Sequence, residues 1–126
     1  LHEPYRRQRQ MCIRDRRKKA GLTELTWDDT VATAAMTRSK EIEKSFSHTR
    51  PDGRNFGTAI TDLGITYRGA GENIAWGQKT PEVVMNAWMN SEGHRANILN
   101  PNFKKLGVGY RTDSQRTPYW TQLFTY

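Results

Sequence analysis

Two histidines, one glutamate and a short polar run between two helices hold most of this chain's capacity for chemistry. His48 lies in Phe46-Ser-His-Thr-Arg-Pro-Asp-Gly-Arg54. Its Pro-Asp-Gly is a turn, Pro fixing φ and Gly supplying a positive one. Glu72 follows Gly71 in the glycine-rich stretch Tyr67–Gly77, and His94 belongs to Ser91-Glu92-Gly93-His94-Arg95. An imidazole can bind a metal ion through one nitrogen while a carboxylate or carbonyl holds the other. Two neutral imidazoles and a carboxylate, here His48, His94 and Glu72, suit zinc with one coordination position left open. The same residues also fit a hydrolase, with His48 as general base and Glu72 orienting it. Ser47, Ser91 or a metal-bound water would then be the nucleophile. A third use is structural, Glu72 bonding a histidine and stapling glycine-rich loops together. The chain has no nucleophile elbow, no His-Glu-x-x-His helix and no catalytic cysteine, so the residues lean away from an enzyme.

The elements that must position these groups follow from spacing. Thr80 suits an N-cap and Pro81 the first helical position. Val83, Val84, Ala87 and Trp88 then make one apolar helical face. Gly93 is placed to stop that helix, and Arg95–Leu99 begins a shorter one that Asn100-Pro101 ends. Upstream, Arg17–Leu22 reads as the last turn of a helix closed by Gly21. Thr26 can cap the next helix, with Asp28 and Asp29 at its positive end. Val31, Ala34, Ala35 and Ile42 form its inner face, and Arg38, Lys40, Glu41, Glu43 and Lys44 its solvated side. Asn55–Leu63 predicts a short helix and Glu72–Trp76 a short buried strand. Leu106, Val108 and Tyr110 alternate, as do Trp120, Gln122 and Phe124, which predicts an antiparallel pair joined through Thr112–Thr117. Helices first and strands mostly late give an α+β domain. Trp27, Trp76, Trp88 and Trp120 read as core or cleft wall, with stacking on a carbohydrate as the other use for an exposed one.

The first residues stand apart. Residues 6–16, RRQRQMCIRDR, have no apolar periodicity and match one reading frame of a transposase-based sequencing adapter. Residues 1–16 are therefore read as a disordered library artefact, and 17–126 as one domain that is truncated at its N-terminus. Five of the 20 Lys and Arg and two of the 13 Asp and Glu lie in 1–16, so the formal net charge of +7 becomes +4 for 17–126. Cys12, the one cysteine, also falls there. The domain proper thus has no disulfide and no cysteine ligand set, and its stability must come from packing and hydrogen bonds. The chain has no apolar run long enough to span a bilayer. The Lys104-Lys105 and Arg50/Arg54 clusters come without any nucleic-acid motif.

Four segments, taken in order, carry a resemblance: FSHTRPDGR around His48, Gly71-Glu72-Asn73-Ile74-Ala75, WMNSEGHRANIL from Trp88 to Leu99, and Tyr119-Trp120-Thr121-Gln122. Over Arg17–Tyr126 the chain resembles the bacterial branch of the CAP superfamily, whose domain is also called SCP-like. The superfamily includes cysteine-rich secretory proteins, insect antigen five and plant pathogenesis-related proteins. The resemblance implies a three-layer α-β-α sandwich with a small central antiparallel sheet, a shallow polar cleft, and an extracellular or cell-envelope location. In eukaryotic members the cleft carries two histidines and two glutamates, and some bind zinc or another divalent ion. By position, His48 matches the first histidine and Glu72 the first glutamate. Ser91 holds the place of the second glutamate, with Glu92 one step beyond, and Tyr119 holds the place of the second histidine. His94, from the bacterial motif, would have to substitute in space. Asn73, Arg95, Asn97 and Gln122 are expected to hydrogen-bond neighbouring loops around this cleft. The reading is a secreted bacterial domain that binds a ligand or a divalent metal such as zinc, with cell-wall polymers or envelope proteins as partners. The alternatives are a metal- or His-dependent hydrolase and a purely structural domain of the envelope or spore surface.

Overall fold

Alternation on one long strand sets the architecture. The computed structural model describes residues 12–126. A helix, α1, covers 12–19 of these. It is followed by β1 (Thr26–Trp27), α2 (Asp29–Lys44), α3 (Thr58–Thr61) and β2 (Ala70–Trp76), then α4 (Pro81–Met89), α5 (Glu92–Ile98), β3 (Lys105–Thr112) and β4 (Pro118–Thr125). The strands form one sheet in the order β1-β3-β4-β2, antiparallel except where the two-residue β1 runs parallel to β3. Because strand side chains alternate between faces, β4 serves two cores. Trp120 and Phe124 join Val84, Met85, Trp88, Ile98, Leu106 and Val108 on one face. Leu123 joins Val31, Ala34, Ala35, Ala59 and Ile60 on the other. The result is a three-layer α-β-α sandwich.

Two glycines let α2 lie close to the sheet. A Cβ on Gly107 would come within 2.2 Å of the Ala32 backbone nitrogen, and one on Gly109 within 2.4 Å of the Ala35 carbonyl. Several local expectations shift. Asp28, not Thr26, caps α2, its carboxylate accepting from the N–H groups of Thr30 and Val31. Thr26 is instead held in β1 by pairing with Lys105. Helix α4 ends at Met89 with Asn90 as its cap, and Gly93 lies inside α5 rather than stopping α4. The helix expected over Asn55–Leu63 shortens to the single turn of α3.

The N-terminal boundary also differs. Of residues 1–16, set aside as a disordered artefact, 1–11 lie outside the described residues. Residues 12–16 are helical, continuous with 17–19. Ile13 is buried in the core beside α4, and Arg16 donates to Asn86 of that helix. Arg17, four residues after Ile13 and so on the same face, is buried. It donates to the carbonyls of Thr23, Ile98 and Asn100 at 2.9 Å each, tying α1 to the end of α5.

Candidate functional site

The candidate residues gather around the outer edge of β2, where the two helical layers meet. From the α2 layer comes a buried ion pair. Glu72, 4% exposed on β2, accepts from Arg38 Nε at 2.7 Å and from Arg38 Nη2 at 3.1 Å. Arg38 was read as part of the solvated side of α2; it is fully buried. Its spacing carried the signal, since 31, 35, 38 and 42 run down one helical face. The guanidinium also donates to Glu41 at 2.8 Å and to the Ser47 carbonyl at 2.6 Å. It thereby fixes the segment that leads into His48. Burial pushes the Arg38 pKa down, but its hydrogen bonds to Glu72 and Glu41 and their charges outweigh this and leave it raised. The guanidinium therefore stays charged in the fold.

His48 Nδ1 lies 2.8 Å from Glu72 Oε1. Against a carboxylate oxygen that already accepts from Arg38, this nitrogen carries the proton and donates. The His48 side chain is more than half exposed. Its loop is held further by Arg50, which donates to both oxygens of Glu41 and to Thr58.

The opposite flank is built from α5. Ser91 is the N-cap residue of that helix, but its hydroxyl caps no backbone group. It pairs instead with His94 Nδ1 at 2.9 Å. Burial, and after it the charge of His48, holds the His94 pKa below the ordinary imidazole value. Beneath this pair a buried amide network joins α5 to the sheet. Asn73 donates to the His94 carbonyl and to Gln122 at 3.1 Å each, and Asn97 donates to Asn73 at 3.0 Å and to the Glu72 carbonyl at 3.2 Å.

Thus His48 and Glu72 meet, and His94 and Ser91 stand on the other flank, with Asn73 and Gln122 buried as supports. Three expected residues lie apart. Glu92 is exposed in the first turn of α5. Arg95 is exposed and donates back to the Met89 carbonyl. The Tyr119 hydroxyl donates to Asp113 in the β3–β4 turn. Trp76, which the sequence offers as core or cleft wall, lines an open groove of about 230 Å³ with Phe46 and Gln78, which it does not single out, and with Ala87, Ser91 and His94. Which of the four tryptophans is exposed is not legible from residue type.

The expected three-donor zinc set of His48, His94 and Glu72 is not assembled. Both Glu72 oxygens are engaged by Arg38 and one of them also by His48, so the carboxylate serves as a support for the imidazole rather than as a third ligand. Among the described residues, no group of three or more His, Cys, Asp or Glu side chains is placed to hold a metal ion.

Sequence and fold comparisons agree with this architecture. The pattern of CAP, the cysteine-rich secretory protein family, matches residues 4–124. The chain belongs to that family. It is similar to the Bacillus subtilis protein YkwD, 47% identical over 110 residues that make up 86% of this chain and 42% of YkwD. Its fold is similar to that of an extracellular SCP-domain protein from Bacillus anthracis, with TM-score 0.86 and 32% identity over 94% of this chain and 39% of the other. An outer surface protein of Borrelia burgdorferi also matches, with TM-score 0.81 and 25% identity over 90% of this chain and 85% of its own. The chain spans less than half the length of the two Bacillus proteins. Among the described residues, no helix is long and apolar enough to cross a membrane.

Proposed function

We propose that this chain is an exported bacterial binding domain of the cell envelope, and that its cleft at the β2 edge holds a ligand through hydrogen bonds and aromatic contact, without a metal ion. The observation that carries this reading is the commitment of Glu72. Its carboxylate, the third donor of the expected zinc set, is taken up by a buried bidentate pair with Arg38. Glu72 thereby becomes an anchor for His48 and for the loop that carries it. The extracellular and outer-surface descriptions of two proteins with this fold support the location.

The test is co-sedimentation of the domain with purified cell-wall material, with and without a strong chelator. Saturable sedimentation that the chelator leaves unchanged is the expected result. Binding that the chelator abolishes and zinc restores would replace this reading with a metal centre. Release of soluble wall fragments that stops in His48→Ala would assign a hydrolase instead, because the Glu72–His48 bond also orients a general base. Neither candidate serine hydroxyl is paired with that imidazole, however. Ser47 accepts from the Thr49 N–H, and Ser91 pairs with His94.

A further inference from the structure

The groove beside the cleft has a composition that narrows the ligand. We infer that it binds a neutral, N-acetylated sugar unit of a glycan chain, stacked on Trp76 between Phe46 and α4–α5; this rests on the binding-domain reading above. Trp76 and Phe46 are 56% and 50% exposed, and both line the groove. Two exposed aromatic rings lining one groove offer a ligand flat apolar surface, and an indole face suits the C–H face of a pyranose ring. Ile74, Ala75 and Ala87 give the groove small apolar walls, a place for the methyl of an acetamido group.

The polar groups are few and converge, as in small-ligand sites generally. Ser91 and His94 stand on one flank. Gln78 lines the groove too. The backbone adds donors. The Gly77 N–H bonds to the Pro118 carbonyl, and Gly69 and Tyr126 bond each other in both directions. In the antiparallel register of β2 with β4, this turns the odd-numbered residues of β2 toward β4. The N–H and carbonyl groups of Glu72, Ile74 and Trp76 therefore point outward.

Three other ligand classes fit less well. A peptide strand adding to the β2 edge needs its outward carbonyls, yet Asn97 occupies that of Glu72 and the Trp88 indole N–H that of Ile74. An anion would find no lysine or arginine in the lining. A lipid chain would lie against Ser91, His94 and Gln78 in an open groove.

The experiment is calorimetric titration of the chain with chitotetraose, the β-1,4-linked tetramer of N-acetylglucosamine. Its de-N-acetylated counterpart and cellotetraose serve as comparisons, run beside Trp76→Ala, Ser91→Ala and, as a control, Leu63→Ala, an exposed apolar residue outside the groove lining. The expected result is saturable binding that needs the acetyl groups. Trp76→Ala should weaken it about tenfold or more, the change that ~1.4 kcal/mol of lost contact produces. Ser91→Ala should weaken it as well, Leu63→Ala should not, and all variants should keep the parent melting temperature. Sedimentation with wall material in a chain that ignores chitotetraose, or that binds it equally well as Trp76→Ala, would overturn the sugar assignment and leave the binding domain standing. Neither sedimentation nor chitotetraose binding would overturn both.

Discussion

Replacing the Glu72 carboxylate by an amide, as in Glu72→Gln, leaves the fully buried Arg38 guanidinium facing a neutral partner. Breaking one side of a buried ion pair costs about 3–5 kcal/mol. Glu72→Gln should therefore lower the denaturant midpoint strongly, read by urea titration with circular dichroism. It should also loosen His48, visible as a change in the imidazole NMR signals. His94 gives a pH dependence of definite sign. Its folded pKa lies below the ordinary value, first through burial and then through the charge of His48. The unfolded chain thus takes up the proton at a higher pH than the folded one. This contribution to stability is fully present above the ordinary imidazole value of about 6.5 and is lost as pH falls from there through the lowered folded value. Urea midpoints measured at about pH 7.5 and about pH 5.5 should fall less in His94→Asn than in the parent. At this scale the sequence shows which groups are reactive but not how they are paired. His48 and Glu72 are legible as a couple from type and surroundings. The burial of Arg38 is legible only in its spacing, against the rule that a charged residue on a helix is ordinarily solvated, and Glu72, 34 positions away, with Glu41 and the Ser47 carbonyl, makes that burial tolerable.

Helix α2 owes its seat on the sheet to residues of another element. Gly109→Ala would place a methyl 2.4 Å from the Ala35 carbonyl, and backbone atoms cannot swing aside as a flexible side chain can. Overpacking ordinarily costs about 1–3 kcal/mol. Gly109→Ala should reach at least the upper end of that range, checked by thermal melting, with Gly107→Ala behaving alike. Periodicity predicts α2, α4, β3 and β4 because each pattern is local. It fails at α3, shortened to one turn, and at Gly93. A glycine after a helix reads as a stop, but here a new helix begins at Glu92, and no positive φ is needed at Gly93. The two-residue β1 is invisible from sequence, since its hydrogen bonds run to Lys104 and Leu106, some 78 residues distant.

For the molecule as a whole, the open boundary is the N-terminus. Within the segment expected to be an adapter artefact, residues 12–16 are helical and continue into the domain. Ile13 is buried among the residues of one core, and truncating a buried isoleucine to alanine costs about 2–5 kcal/mol. Ile13→Ala, and more so a chain of residues 17–126, should unfold at lower urea than the chain of 1–126. Equal midpoints would show that the domain does not need the segment. The sequence by itself determined the α+β class, the family, the antiparallel β3–β4 pair and the residue types of the cleft, because those rest on local periodicity and on short motifs kept in order. Only the tertiary structure decided that Arg38 pairs with Glu72, that this carboxylate, one of the expected zinc donors, is thereby engaged, and that Phe46, Trp76 and Gln78 share one groove. Each of these depends on which surfaces the sheet brings together across dozens of residues, where burial and pairing, rather than residue type, determine what a side chain can do.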